Sequence, residues 1–187
     1  MTLEEIRCEI DNVDTQMKEL FLKRMECARN VAQEKSRTGG DVYVPEREEE
    51  IIRKRTEDVK EVQSEYIEFL RYLMTVSRKY QYGFLSGMQD SVIEKALKVQ
   101  KEKAVEENRV EITFRMDREK NNLYHFFECP SSEWHPDREV CLWKSERGRL
   151  QTAVILLEGN LENSEMRRAL CQIGKEAFDF SITVMSE

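Results

Sequence analysis

The chain has 187 residues, of which 40% are hydrophobic and 36% charged, and no apolar run approaches the roughly 20 residues that a membrane span requires. Its five cysteines are odd in number and lack C-x-x-C spacing, which favours reduced thiols over a disulfide framework or a zinc site. The net charge of -7, with basic and acidic residues interleaved, argues against nucleic acid as a partner. Because the first ten residues carry acids in a helical pattern rather than a signal peptide, we expect a cytoplasmic protein without a membrane partner.

The first predicted element is a long helix. Thr2 and Glu5 have the spacing of a capping box, and the helix is expected to continue to about Arg37, before Gly39 and Gly40, over roughly 54 Å. Apolar residues recur every three or four positions along it, which is typical of a helix that packs on other helices. This apolar row is Leu3, Ile6, Ile10, Val13, Met17, Leu20, Cys27 and Val31.

Two shorter helices are predicted next, at about residues 45–62, with Pro45 in the first turn, and 64–85. Two short helices cannot cover an apolar row of that length, so we expect an intertwined homodimer. After them, residues 86–108 read as a break followed by a charged, helical linker. The predicted domains are therefore 1–85, all helical, and 109–187, of mixed type.

Polar residues interrupt the apolar rows of all three helices. Arg24 occupies a position in the first row where an apolar residue is expected, and Lys35 follows Val31 by one turn. The second row begins at Glu48, and the third contains Ser77 and Gln81. Each residue alone has an ordinary structural explanation, such as a snorkelling side chain or a favourable position in the helix dipole. Because isolated buried charges are costly, the joint pattern predicts one polar cavity inside a helical bundle.

Three segments together resemble one family. The opening "IRCEIDNVDTQMKELFLKRMECARNVAQEK", the loop and helix start "VYVPEREEEII", and the third-helix segment "LMTVSRKYQ" are similar to the motifs of AroQ-class chorismate mutases. They occur in the family's order and spacing, over about residues 3–85. The resemblance implies an all-α, three-helix fold. It also implies a mutase activity, the conversion of chorismate to prephenate for phenylalanine and tyrosine biosynthesis. It implies these active-site residues: Arg7, Arg24, Lys35, Arg47, Glu48, Ser77 and Gln81.

The residue types suit the chemistry that the resemblance implies. The rearrangement is concerted and needs no nucleophile, metal or cofactor, and we expect none. Arginines can clamp the two carboxylates of chorismate, with Arg7 reaching in from the partner subunit. Lys35 and Gln81 would face the ether oxygen as negative charge develops on it, Glu48 would accept a hydrogen bond from the ring hydroxyl, and Ser77 would bond a carboxylate.

One position departs from the family pattern. Val44 stands where the family usually has an aspartate beside the ring hydroxyl. Isochorismate-pyruvate lyases share the helical fold and can carry a small apolar residue there, so a lyase is one alternative. Those lyases lack the glutamate and serine present here as Glu48 and Ser77, which favours the mutase. A domain that binds chorismate or prephenate without turnover is a second alternative.

The second half is predicted to be a small α+β domain that resembles no family. Strands are expected in "RVEITFRMD", "NLYHFFEC", "REVCLWKS", "GRLQTAVILLEG" and "DFSITVMSE", the third and fourth forming a hairpin around "SERG". A helix capped near Asn163 should precede the last strand. His125, Cys129 and His135 fit no zinc pattern. A regulatory or assembly role is the leading hypothesis for this domain.

Overall fold

The computed structural model describes residues 1–97, 109–117, 142–145, 150–158 and 161–184. It consists of an all-helical N-terminal region followed by a small α+β unit. The helices are α1 (Leu3–Thr38), α2 (Pro45–Thr56), α3 (Gln63–Tyr82), α4 (Ser86–Ala96) and α5 (Ser164–Glu176). The strands are β1 (Arg109–Asp117), β2 (Leu142–Ser145), β3 (Leu150–Glu158) and β4 (Phe178–Val184).

Helix α1 begins and ends where its sequence signals predict. The Thr2 hydroxyl accepts a hydrogen bond from the Glu5 backbone N–H, and the Glu5 carboxylate accepts one from the Thr2 N–H. At the other end Gly39 adopts φ 77°, a left-handed conformation that favours glycine, and its N–H bonds the Lys35 carbonyl. The predicted first helix is thus confirmed within one residue.

The apolar row of α1 is only partly covered within the chain. Met25, Ala28 and Ala32 are buried, and they lie in the C-terminal half of the helix, which packs against α3. The row before Arg24 remains exposed: Leu3, Ile6, Ile10, Val13, Met17 and Leu20 each keep at least 39% of their surface accessible. Within the part of the chain that the structure describes, the N-terminal half of α1 therefore keeps its apolar row exposed.

Helices α2 and α3 are shorter than predicted. The Gln63 side-chain amide donates to the Thr56 carbonyl at 2.8 Å, and Val59 N–H bonds the same carbonyl at 3.3 Å, so a turn replaces the last predicted turns of α2. Helix α3 ends in a turn at Gly83. The two helices share a small apolar core formed by Ile52, Leu70 and Met74.

The α+β unit contains a four-stranded antiparallel sheet in the order β2-β3-β1-β4. The pairing of β2 with β3 confirms the predicted hairpin, and the side chain of Asn163 caps α5 by accepting hydrogen bonds from the N–H groups of Glu165 and Met166. The strand predicted at 122–129 lies outside the described residues, as do His125, Cys129 and His135. An α+β fold for this unit is thereby established.

One face of the sheet packs against α4 and α5. Alternate residues of β1 are fully buried there, namely Val110, Ile112, Phe114 and Met116. Ile93 and Ala96 of α4 belong to the same core, so this helix, predicted as part of a linker, packs as an integral layer of the α+β unit. Gly174 permits the close approach of α5 to its neighbours, since a Cβ there would lie 2.7 Å from Phe180 and closer still to Val92.

Candidate active site

Arg24 joins α1 to α3 at the centre of the helical region. Its guanidinium donates hydrogen bonds to the Ser77 hydroxyl and, at 3.4 Å, to the Leu73 carbonyl. Burial lowers the pKa of Arg24, the positive charge of Arg55 lowers it further, and Glu48 opposes both effects. Position 24 is therefore a half-buried cation facing other charges rather than a side chain extended into solvent.

Lys35 lies at the C-terminal end of α1, where residues 39–44 lead into α2. Its ammonium donates to the carbonyls of Asp41, at 2.5 Å, and Val42, at 3.3 Å. Burial lowers the pKa of Lys35, and nearby Arg47 lowers it further, whereas Asp41 and Glu48 raise it. The lysine is thus held by two backbone carbonyls, near one arginine and two carboxylates.

Glu48 turns inward from the first turn of α2. Both carboxylate oxygens accept hydrogen bonds from Arg78 Nη1 at 2.6 Å, while Glu49 and Glu50 point outward. Glu49 pairs with Arg71 and Glu50 with Lys54 on the surface. Within the charged run that opens α2, Glu48 is therefore the carboxylate that reaches the interior.

Ser77 and Gln81 are buried on α3, with 5% and 8% of their surfaces exposed. Ser77 Oγ donates to the Leu73 carbonyl at 2.9 Å and accepts from Arg24, and the Gln81 amide nitrogen donates to the Ser77 carbonyl at 3.3 Å. Gln81 Oε1 is buried and has no hydrogen-bond partner among the residues that the structure describes. This buried amide oxygen therefore has hydrogen-bonding capacity that a ligand could use.

The structure thus connects most of the residues predicted for the site. Arg24, Ser77 and Gln81 form one hydrogen-bonded chain, and Glu48 acts electrostatically on both Arg24 and Lys35. Arg47 is exposed but close enough to Lys35 to affect its pKa. Arg7 lies apart, exposed on α1, about 25 Å from Arg24 by the helical rise.

Residues 6–82 match the family model described as chorismate mutase type II. This segment is a chorismate mutase type II domain. The match includes α2 and nearly all of α1 and α3, so it covers the whole set of predicted site residues. A comparison with curated proteins and one with solved structures gave no significant match.

Four residues around the candidate site were absent from the predicted set: Arg55, Arg78, Tyr43 and Glu176. Arg55 follows Glu48 and Ile52 in one helical row, which is a signal that the sequence does contain. Arg78 is adjacent to Ser77 and buried, with its guanidinium 4.7 Å from the centre of the Tyr43 ring. Glu176 comes from the α+β unit, so no motif of the mutase domain could have indicated it.

Val44, the departure from the mutase pattern, is the N-cap residue of α2. Its side chain makes no capping hydrogen bond, and only its carbonyl is used, accepting from the N–H groups of Arg47 and Glu48 at 3.2 Å. A carboxylate at this position would add a negative charge beside Lys35, Arg47 and Glu48. With valine there, Glu48 is left as the inward-facing carboxylate of α2.

Among the described residues, no helix is both long and apolar enough to cross a membrane. Within the same ranges, histidine, cysteine and acidic side chains form no group of three or more that could hold a metal ion.

Proposed function

We propose that the mutase domain rearranges chorismate to prephenate in the polar space bounded by Arg24, Lys35, Glu48, Ser77 and Gln81. The observation that carries this proposal is the convergence of residues from three helices. Arg24 donates to the Ser77 hydroxyl and Gln81 donates to the Ser77 carbonyl, while the inward carboxylate of Glu48 acts electrostatically on Arg24 and Lys35. Such a cluster suits a dianionic substrate whose ether oxygen gains negative charge in the transition state.

Each group has a role that follows from its chemistry. The Arg24 guanidinium and the Ser77 hydroxyl would bind a substrate carboxylate and hold the folded, reactive conformer. The Lys35 ammonium and the Gln81 amide would donate to the ether oxygen as the carbon–oxygen bond breaks. Glu48 would accept a hydrogen bond from the ring hydroxyl through lone pairs that its contact with Arg78 leaves unused.

A second candidate activity is that of an isochorismate-pyruvate lyase, and Val44 is the observation that favours it. The inward position of Glu48 and the Arg24–Ser77 hydrogen bond favour the mutase. A non-catalytic domain that senses chorismate or prephenate remains a third possibility on the same binding chemistry.

The test is the loss of chorismate absorbance on addition of purified protein, with the product identified as phenylpyruvate after acid treatment. Prephenate formation supports the mutase, whereas pyruvate release from isochorismate without chorismate turnover supports the lyase. If neither substrate reacts but chorismate raises the melting temperature, the sensing function replaces both enzymatic ones.

We further propose that the working form is an intertwined homodimer in which Arg7 enters the site of the partner subunit. The exposed apolar row on the N-terminal half of α1 supports this, because a second copy could cover it and bring Arg7 to a second site. Arg7→Ala and Lys35→Ala should each be inactive alone. Random subunit exchange between them should restore about a quarter of the intact sites. No recovery after verified exchange would overturn the trans role.

The α+β unit is proposed to regulate the mutase domain or to assist assembly. Its direct packing on α3 supports either role. Phenylalanine, tyrosine and tryptophan at millimolar concentration should change activity or melting temperature if the unit mediates aromatic feedback. No change in either property would exclude that form of regulation.

A further inference from the structure

Arg78 lies between a carboxylate of the mutase domain and a carboxylate of the α+β unit. Its Nη1 donates to both oxygens of Glu48 at 2.6 Å, on the site side. On the other side, Nε and Nη2 donate to the two oxygens of Glu176 at 2.7 and 2.9 Å. The guanidinium is therefore shared between α2 and α5 while belonging to α3.

The position of Glu176 is determined by the α+β unit. It is the last residue of α5, whose preceding turns place Leu170 and Ile173 in the core under the sheet. Its side chain is 1% exposed, and one turn earlier the Gln172 amide donates to the Thr75 carbonyl of α3 at 3.4 Å. The carboxylate that meets Arg78 is therefore carried by a helix that is anchored in a different core.

Arg78 has little freedom to move independently. Nη2 also donates to Thr75 Oγ1 at 3.2 Å, and the guanidinium carbon lies over the Tyr43 ring. Burial by itself would lower the pKa of Arg78, but Glu176 and Glu48 outweigh that effect and raise it, so the group stays charged. A charged guanidinium with fixed hydrogen-bond directions transmits the position of one carboxylate to the other.

We propose that Arg78 and Glu176 are positioning residues for Glu48, so that the α+β unit holds the carboxylate that meets the substrate's ring hydroxyl. The inference rests on the proposed function for the role of Glu48 in turnover. It gives the α+β unit a direct part in the site through one arginine and one glutamate. A merely structural ion pair would stabilise the contact between the units but would not act through Glu48.

The experiment is a mutant cycle on the full-length chain. Replacing the buried pair together, as Arg78→Met with Glu176→Met, avoids leaving the fully buried Glu176 carboxylate unpaired. Glu48 loses its partner Arg78 in this variant, but its side chain is 23% exposed and can be solvated. In this double variant, kcat should fall about 10- to 100-fold with a smaller change in KM, since a misplaced group costs rate when the fold is intact. Glu165→Gln is the matched control on the same helix, because Glu165 pairs with Arg168 of α5 and not with the mutase domain.

Glu48→Gln supplies the other side of the cycle. If the pair acts through Glu48, adding the double replacement to Glu48→Gln should lower kcat little further, whereas independent effects would multiply. Multiplying effects, or an unchanged kcat in the folded double variant, would overturn the proposal. Should the double variant fail to fold, Glu176→Asp keeps the charge and shortens the reach. It should lower kcat several-fold at a similar melting temperature, and an unchanged kcat would count equally against the inference.

Failure of the proposed function would be recognised separately, as a wild-type protein that does not turn over chorismate. The positioning inference is then tested on crystal structures of the wild type and the double variant. It expects one ordered Glu48 side chain in the wild type and a displaced or disordered one in the variant. The same Glu48 conformation in both would overturn it.

Discussion

The two regions of the molecule use their interiors in opposite ways. The α+β unit closes a continuous apolar core, in which Phe114, Leu157 and Leu170 are fully buried between the sheet and two helices. The mutase domain buries a small apolar cluster of α2 and α3, while placing Arg78, Ser77 and Gln81 inside and leaving half of α1 uncovered. The interior of the α+β unit is therefore mainly apolar, whereas that of the mutase domain contains charged and polar side chains.

This difference indicates where each region obtains its stability. Apolar burial contributes roughly 25 cal/mol per Å², and the α+β unit achieves it within a single chain. The mutase domain gives up part of that contribution to keep a polar interior, and it relies on contacts from outside α1–α3. The structure shows one such contact, with α5, which supplies Glu176. The second copy that we propose would supply another, on the exposed face of α1.

The largest expected effect comes from removing charge from the polar interior. Arg24→Ala should lower kcat/KM by about 10³-fold or more while helicity is retained, because it removes the donor that we propose for the substrate carboxylate, together with its hydrogen bond to Ser77. Chorismate turnover and circular dichroism measure the two properties. Arg37→Ala is the control on the same helix, since Arg37 pairs with Glu34 on the surface. Near-normal activity of the Arg24 variant would remove the basis for the assigned pocket.

The sequence predicts the parts of both regions that local chemistry determines. The Thr2–Glu5 capping box, the Asn163 cap and the β2–β3 hairpin depend on residues a few positions apart, and each is confirmed. The polar positions Arg24 and Ser77 were also evident as interruptions of apolar rows, and the structure brings them into contact. Most of the helices and strands can therefore be predicted from the periodicity of apolar residues.

Long-range pairing could not be predicted in the same way. Arg78 and Glu176 are separated by 98 positions, and neither carries a motif that points to the other. The packing of α4 into the α+β core was missed because its charged surface resembled a linker, although Ile93 and Ala96 face the sheet. The Arg78–Glu176 pair and the packing of α4 both depend on how the helical region and the α+β unit pack together. No single segment of the sequence specifies that packing.

A substitution in the apolar core of the second region should cause the next largest effect, this time on stability. Phe114→Ala should lower the free energy of unfolding by about 3–5 kcal/mol, because removal of the buried ring leaves a cavity. Phe178→Ala, at a phenylalanine that is 57% exposed, is the matched control and should cost much less. Denaturant unfolding followed by circular dichroism gives both values. Equal effects would mean that the sheet core is packed differently.

The same measurement on Leu20→Ala sharpens the comparison between the regions. Leu20 is 66% exposed in one copy of the chain, so in a monomer its loss should change the free energy of unfolding by less than about 0.5 kcal/mol. In the proposed dimer it would be a buried contact, costing about 2–5 kcal/mol and shifting the dissociation constant measured by sedimentation. A small, concentration-independent effect would contradict coverage of this face.

A smaller effect on kcat/KM is expected from a change of pH. It tests the charged interior of the mutase domain, since the apolar core of the α+β unit should not respond. The pKa of Lys35 is lowered from the ordinary 10.5 by burial and by Arg47, and the protonated ammonium is the form proposed to face the ether oxygen. The value of kcat/KM should therefore fall as pH rises, with a midpoint below 10.5 and a tenfold loss per unit beyond it. Glu165→Gln, outside the site, should leave this midpoint unchanged. A flat profile to pH 10.5 would argue against a working role for the charged lysine.

The smallest expected effect concerns the exposed contact between the two regions. Lys175 of α5 pairs with Asp41 at 2.6 Å, and the Asp41 side chain is 64% exposed, so solvent screens the pair. Lys175→Ala should lower the free energy of unfolding by less than about 1 kcal/mol and change kcat/KM less than about threefold. Thermal unfolding and chorismate kinetics provide the comparison with the Arg78→Met and Glu176→Met double variant, in which the replaced glutamate directly follows Lys175. A larger effect for Lys175→Ala would mean that the segment around Asp41, and not the buried arginine, carries the communication between the α+β unit and the site.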